Sequence, residues 1–332
     1  MSDIQEAVRE RYAAKALQMA QSSSCCDTSC CGDTSCGEGY SAEELASVGI
    51  DPTASLGCGN PTLLADLRPG ERVLDLGSGA GLDVLLSARR VAPGGHAYGV
   101  DMTDEMLAVA RGNQVKAVVV NATFLKGTIE QIPLPDASVD VVISNCVINL
   151  AADKRAVLRE AYRVLGPGGR LAVADMVAVA ELPAEVKRSL DQWAGCVAGT
   201  ISIDEYTGAL RDAGFKDVDI EITREVRLDG VDGAIASAYI RARKTGLTGS
   251  LDLACSLTDG ELSQRRDEWR ALEAALVDRS ERDGVVETAY RASPEVRERL
   301  ERLLALERQC CAGARWDLRE DGALLRMSIT AT

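Results

Sequence analysis

Apolar residues recur at helical spacing through Ile4, Val8, Tyr12, Ala16 and Met19, which predicts an amphipathic helix over residues 4–20. Ser41, followed by Glu43 and Glu44 and then Leu45 and Val48, reads as the capped start of a second short helix. From Arg72 the pattern changes. RVLDL is a short apolar run, Gly77, Gly79 and Gly81 punctuate a turn, and LDVLLSARRV returns to helical spacing: strand, glycine turn, helix. The alternation continues with strand AYGVD, helix 104–112, strand ATFLK and strand VDVVISN, the last apolar enough to lie buried at the centre of a parallel sheet. A helix over 153–165 is expected to stop at GPGG before the strand RLAVADM. A helix over 203–213 then precedes two strands, 217–226 and 234–243, close enough to pair antiparallel.

These elements predict an α/β fold, a Rossmann-like sheet with late antiparallel strands, over residues 60–245. Residues 1–59 form an N-terminal helix and cysteine-rich segment. Residues 250–332 form a small α+β domain read as β-α-β-α-β-β. Its expected elements are a strand at 251–256, a long charged helix at 259–282 carrying Trp269, Leu272 and Leu276, a strand at 285–290, a helix at 294–309, and two strands flanking a turn at 320–322. Trp269, Tyr290 and Trp316 are assigned to its core.

The chain has 332 residues, 46% of them apolar and 27% charged, so most of it should fold. Its 37 basic and 51 acidic residues leave a net charge of -14, a field that repels phosphate backbones and anionic lipid, so neither nucleic acid nor membrane is an expected partner. The first twenty residues mix both charge signs without the apolar centre of a secretory signal, and no stretch is apolar enough to span a bilayer. The expected location is a reducing cytoplasm, with the 11 cysteines as thiols. His96 is the single histidine, which excludes mechanisms built on paired imidazoles or a His-bound metal and leaves cysteine as the concentrated soft ligand. Five cysteines, Cys25, Cys26, Cys30, Cys31 and Cys36, fall in a Ser/Thr/Gly/Asp-rich stretch that reads as a loop.

The turn DLGSGAG, with Asp75, Gly77, Ser78 and Gly79, lets the backbone approach a ligand at the carboxyl edge of a strand. A dinucleotide fingerprint would place its third glycine where Leu82 stands, and Asp75 precedes the first glycine, so NAD is disfavoured. S-adenosylmethionine, which has no pyrophosphate and carries an ammonium group for Asp75, fits better. Asp101, about 20 residues beyond the turn, stands where a carboxylate accepts hydrogen bonds from ribose hydroxyls, or where it caps the helix beginning at Asp104.

Residues 60–243 resemble the class I S-adenosylmethionine-dependent methyltransferases through DLGSGAG, GVDMT, KGTIEQIPLPDASVDVVISN and EAYRVLGPGGRL. The resemblance implies that Met102 packs on the adenine and that the segment 127–130, with Thr128, Ile129 and Glu130, lines the base edge. Asn145, at the end of the fourth strand, joins this cofactor set. Within that fold, SNCVINL, LGCGNP and GCVAGTIS resemble the arsenite methyltransferases. That resemblance implies Cys58, Cys146 and Cys196 as catalytic thiols that bind arsenic(III), supplied as arsenite or its thiol conjugates. Trivalent arsenic is soft and three-coordinate, and its lone pair attacks the sulfonium methyl without losing a proton. Two thiolates would then return methylated arsenic to the trivalent state by closing a disulfide, which an external thiol reductant such as thioredoxin or glutathione reopens.

Two alternatives stay open. One is a thiol-rich protein that sequesters or senses a metalloid. The other is a methyltransferase for a small organic substrate, which needs a base near the methyl, and the segment around Asn145 and Cys146 offers no carboxylate or imidazole. The resemblance also implies an N-terminal cysteine pairing with Cys58, but five candidates between Cys25 and Cys36 leave it unassigned. Cys310 and Cys311, with Cys255 as a possible third, read either as a soft-metal site or as packing.

Overall fold

Strand β1 (Arg72–Leu76) is buried from Val73 onward and has parallel neighbours on both sides, β2 (His96–Asp101) and β4 (Val139–Asn145). β3 (Ala122–Lys126) extends the sheet beyond β2, and β5 (Leu165–Ala178) pairs parallel with β4. β7 (Ile235–Arg243) then adds antiparallel to β5 and to β6 (Lys216–Val226), giving the order β3-β2-β1-β4-β5-β7-β6. The computed structural model describes residues 3–21, 40–50, 59–182, 197–226, 233–245, 264–265, 267–269, 271–282, 285–310 and 313–331. The loop with Cys25 to Cys36, the cysteines Cys58, Cys196, Cys255 and Cys311, and the expected strand at 251–256 lie outside the described residues.

Helices cover both faces of this sheet, as an apolar central strand requires. On one face α4 (Leu82–Arg90) and α5 (Asp104–Ala117) bury Leu85, Leu86, Leu107 and Ala110 against Phe124, joined by Val48 of α2 (Ala42–Val48), and the short α3 (Pro61–Leu64) lies beside α4. On the other, α6 (Lys154–Val164) and α7 (Ile203–Asp212) pack Leu158, Ala161, Tyr206 and Leu210 against Val142, Val173 and Ile240. The N-terminal helix α1 (Asp3–Gln21) keeps its expected stripe, with Val8 and Ala16 buried and Ile4 and Tyr12 partly so, and it docks against α5.

Two expectations are corrected. The first is the start of β5: α6 ends at Val164, just ahead of GPGG as expected, but Leu165 is already extended (φ -67, ψ 133) and Gly166 to Gly169 belong to β5 rather than preceding it. The pairing of β5 with β4 shifts register between Val139 and Val141. A Cβ on Gly169 would lie 2.8 Å from the carbonyl of Gly166 and 2.9 Å from that of Asp140, so the glycine serves a crowded bulge.

The second correction falls in the C-terminal part. The long helix expected over 259–282 is not formed to its end: Glu273–Ala275 is a single 3-10 turn and Leu276–Arg282 is strand β8. β8 is the edge of an antiparallel sheet of order β10-β11-β9-β8, with β9 (Val285–Arg291), β10 (Ala314–Asp321) and β11 (Leu324–Ala331). The charges in LVDRSER that resemble a solvated helix face instead line a solvated sheet edge, where charge discourages further strand pairing. Among the described residues, residues 264–265 and 267–269 are helical and the order β-β-α-β-β follows, with α8 (Pro294–Cys310) laying Leu300, Leu303 and Leu304 on the sheet. Trp269, Tyr290 and Trp316 are core, as expected, and the two indoles stack at 6.3 Å.

Candidate active site

The chain leaving β1 crosses the sheet edge through Gly77, Gly79 and Gly81, with φ of 68°, 48° and 87°, a left-handed region that favours glycine. Gly77 and Ser78 donate their N–H groups to the Val100 carbonyl of β2 at 2.8 and 3.0 Å, which pins the turn to the neighbouring strand. The glycines differ in their surroundings. A Cβ on Gly77 would come within 2.4 Å of Val147 and one on Gly81 within 2.7 Å of Phe124, whereas one on Gly79 would meet nothing within 4 Å and would project into open space. The buried Ser78 hydroxyl has no hydrogen-bond partner among the described residues and lines the same cavity. The cavity encloses about 1020 Å³ including its mouth. All ten residues expected to hold the cofactor, Asp75, Gly77, Ser78, Gly79, Asp101, Met102, Thr128, Ile129, Glu130 and Asn145, lie in its wall.

The ionisable groups of the wall decide what charge it receives. Asp75, Asp83, Asp101 and Glu130 line it, and no Lys, Arg or His does so among the described residues. Asp75 is held well above the usual carboxylate range, by burial first and then by the negative charges of Asp83 and Asp101. Asp83 is pushed up to about 6 by burial, against hydrogen bonds from Tyr40 and Asn145 that pull it down. Burial also raises Asp101, opposed by the N–H groups of Thr103 and Gly79. Three buried carboxylates with no cation among them suit a positively charged ligand. A sulfonium and an ammonium would supply that charge, and a pyrophosphate would not.

Cys146 follows the last residue of β4 with φ 58°, a conformation that ends the strand and turns the chain into the 3-10 turn Ile148–Leu150. Its N–H donates to the Ala174 carbonyl at 2.7 Å, and its side chain is buried with Val8, Leu150, Met176 and Val197 while contributing to the cavity wall. Cys146 is disulfide-bonded rather than the free thiol expected of a reducing compartment. Cys58 and Cys196 are themselves outside the described residues, but the residue after each is not. Gly59 hydrogen-bonds to the Asn145 side chain, and Val197 shares the buried cluster of Cys146.

The methyltransferase domain family matches residues 67–214. An arsenite methyltransferase of Halobacterium salinarum is 45% identical over 229 residues, 66% of this chain and 59% of that protein, so the chain spans less than two thirds of that relative's length. A second arsenite methyltransferase, from Aquipseudomonas alcaligenes, is 38% identical over 70% of this chain and 68% of its own. The chain belongs to the arsenite methyltransferase family. Among solved structures, an arsenic(III) S-adenosylmethionine methyltransferase from Chlamydomonas reinhardtii superposes with a TM-score of 0.53 at 35% identity, covering 64% of this chain and 76% of that one. The seven-stranded sheet is accordingly the Rossmann-like sheet of class I methyltransferases.

For a member of this family, two features of the site escaped sequence reasoning. The first is α1, whose Gln5, Val8 and Tyr12 close one side of the cavity, with Gln5 Nε2 donating to Glu130 Oε1 at 3.0 Å. Its apolar stripe was legible, but nothing local says where the stripe docks. The second is a carboxylate at the end of β4, which corrects the expectation that none is available there. Asp83, from the first turn of α4, accepts from Tyr40 Oη at 2.7 Å and from Asn145 Nδ2 at 3.3 Å. An acidic residue opening a helix is ordinary dipole compensation, so sequence alone gave Asp83 no distinction.

Proposed function

We propose that the protein methylates trivalent arsenic, held as a thiolate complex by Cys58, Cys146 and Cys196, with S-adenosylmethionine as methyl donor. The observation that carries this reading is Cys146, a disulfide-bonded cysteine in the wall of an acidic cavity at the carboxyl edge of a class I methyltransferase sheet. The cavity suits the donor: Gly79 leaves a cradle, Ser78 Oγ is an unused polar atom, and the carboxylates of Asp75 and Asp101 meet cationic and hydroxyl groups. When bound, S-adenosylmethionine supplies an electrophilic methyl group. The arsenic lone pair needs no base, so the reaction asks no proton transfer of Asp83, which accepts from Tyr40 and Asn145.

The thiols first exchange with the oxygens of arsenite, and each As–S bond formed releases water or hydroxide. Transfer would form an As–C bond from the arsenic lone pair while the donor's sulfonium S–CH3 bond breaks and S-adenosylhomocysteine leaves with that electron pair, and it would raise arsenic from the trivalent to the pentavalent state. Two thiolates then leave arsenic as one disulfide, giving up one electron each, and arsenic returns to the trivalent state. An external reductant, either one dithiol of the thioredoxin class or two thiols of the glutathione class, reduces that disulfide and is itself oxidised to a disulfide. We assign the reaction to the reducing cytoplasm, the core to residues 60–245 and an accessory unit to residues 250–332. No helix among the described residues is long and apolar enough to cross a membrane.

Incubation with arsenite, S-adenosylmethionine and a thiol, followed by arsenic speciation, tests the proposal: methylarsenicals and S-adenosylhomocysteine should appear in step. Cys146→Ser should abolish both. A protein that only sequesters metalloid would return unchanged arsenite in either case.

A further inference from the structure

Asn145 was assigned to the cofactor, but its side-chain amide is turned to another task. Oδ1 accepts the Gly59 N–H at 3.3 Å, and Nδ2 donates to the Gly59 carbonyl at 2.7 Å, so the amide pairs with both backbone groups of one residue. The remaining Nδ2 hydrogen faces Tyr40 Oη at 3.0 Å and Asp83 Oδ2 at 3.3 Å, and Tyr40 Oη donates to Asp83 Oδ1 at 2.7 Å. These two groups fix the plane of the amide from behind, and burial makes their loss costly. On its other side Gly59 is seated tightly: a Cβ there would lie 2.9 Å from the Tyr239 ring and 3.1 Å from the Ala174 methyl. Ala174 is also the residue whose carbonyl receives the Cys146 N–H.

We propose that Asn145 is a positioning residue for the arsenic-binding thiols: by clamping Gly59, with Tyr40 and Asp83 behind it, it holds the chain neighbour Cys58 next to Cys146. The inference rests on the function proposed above, because it concerns how two of the three thiols are brought together. Its logic is covalent. Cys58 precedes Gly59 and Cys146 follows Asn145, so one amide pairing ties together two Cα positions that are each about 3.8 Å from the clamped residues. A three-coordinate thiolate site gains from such preorganisation because the third sulfur then arrives without the entropy of an unattached loop.

The test maps alkylation of individual cysteines by mass spectrometry in the reduced full-length protein, titrated with arsenite. In the wild type, arsenite should protect Cys58, Cys146 and Cys196 together. Failure of that control defeats the arsenic reading itself. In Asn145→Ala and in Asn145→Asp, which keeps the shape but removes the donor, the arsenite concentration protecting Cys58 should rise about 10–100-fold. Cys146 and Cys196 should remain protected at lower arsenite than Cys58. Gly59→Ala and Tyr40→Phe, which leave Asn145 in place, should move Cys58 in the same direction, Tyr40→Phe by less. The KM for arsenite should rise more than kcat falls, and any loss of calorimetric S-adenosylmethionine affinity should be smaller than the loss of Cys58 protection. Unchanged Cys58 protection in the folded variants overturns the clamp. So does a loss confined to S-adenosylmethionine binding, which would return Asn145 to the cofactor.

Discussion

The Asp101 carboxylate accepts the Gly79 N–H at 2.9 Å through one oxygen and the Thr103 N–H at 2.8 Å through the other, so the end of β2 holds both the glycine turn and the start of α5. Asp101 does not cap α5 itself, whose N-cap is Thr103, but it fixes the residue from which the helix starts. A buried carboxylate with these partners organises the cavity wall proposed to receive the nucleoside. Asp101→Ala should cost about 1.5–3 kcal/mol of S-adenosylmethionine affinity, roughly 10–150-fold in Kd by titration calorimetry. Asp101→Asn keeps one acceptor and should lose less.

The glycine turn allows two substitutions of one kind to be separated. Gly81→Ala places a methyl group 2.7 Å from Phe124 at φ 87°, and it should destabilise the fold by about 2–4 kcal/mol in urea denaturation. Gly79→Ala meets no atom within 4 Å, so its stability loss should be limited to about 1–2 kcal/mol of left-handed backbone strain. Because its methyl group enters the cradle, cofactor affinity should nonetheless fall at least as far as in Gly81→Ala.

Sequence periodicity located most of this sheet because Val73, Leu74, Val141, Val142 and Ile143 are fully buried on a parallel layer that needs continuous apolar runs. Asp75 and Asp101 were legible for a related reason: each is an acid at the end of such a run, where a covered residue would be apolar. Residues whose role depends on a distant partner were not legible. Asp83 is ordinary until Tyr40 is brought to it from 43 residues away, and Val8 is ordinary until α1 lies beside Cys146. In the C-terminal part the stripe Trp269, Leu272, Leu276 fitted a helix, but pairing of Leu276 with Tyr290 in the sheet prevailed over that periodicity.

Charge in the cavity makes donor binding depend on pH. Asp75 and Asp83 are both raised, Asp83 to about 6, so the ligand-free protein takes up protons there as pH falls below about 7. A cationic ligand favours the ionised carboxylates and must displace those protons. S-adenosylmethionine affinity should therefore weaken as pH drops from 8 to 5.5, and calorimetry in buffers of different ionisation enthalpy should detect proton release. S-adenosylhomocysteine lacks the sulfonium charge and should show a shallower dependence. Equal slopes for the two ligands would mean that these carboxylates do not sense the sulfonium.

Asp175 provides a stability counterpart behind the cavity wall. It is buried, accepts from Asn149 Nδ2 at 2.8 Å and from the Met176 N–H at 2.9 Å, and is raised by burial to about 7. Between the unfolded value of 3.8 and about 7 the native state binds a proton that the unfolded chain has lost, so this residue's contribution to stability falls as pH rises through that window and levels off above it. The slope is about 1.4 kcal/mol per pH unit where Asp175 is protonated only in the native state. Asp175→Asn should flatten urea-denaturation stability by about that slope between pH 5 and pH 7, whatever it does to absolute stability.

The docked N-terminal helix should govern how long the donor stays bound. Val8 is 4% exposed and shares its cluster with Cys146, Leu150 and Met176, while Gln5 bonds to Glu130, both of them in the cavity wall. A ligand seated in the cavity has α1 along one wall, so its escape competes with undocking of the helix. Burial of the Val8 side chain contributes about 1.5–3 kcal/mol to docking, and Val8→Asp replaces that gain with a desolvation cost. The variant should retain the β-sheet core by circular dichroism, because α1 adds no strand to it. Its S-adenosylmethionine dissociation rate in stopped-flow measurements should rise at least about tenfold, corresponding to the loss of about 1.4 kcal/mol. Gln5→Ala, which removes a single hydrogen bond in the wall worth about 0.5–1.5 kcal/mol, should accelerate release by only about 2–10-fold. If both variants released the donor at the wild-type rate, α1 would be a covering element with no part in retention.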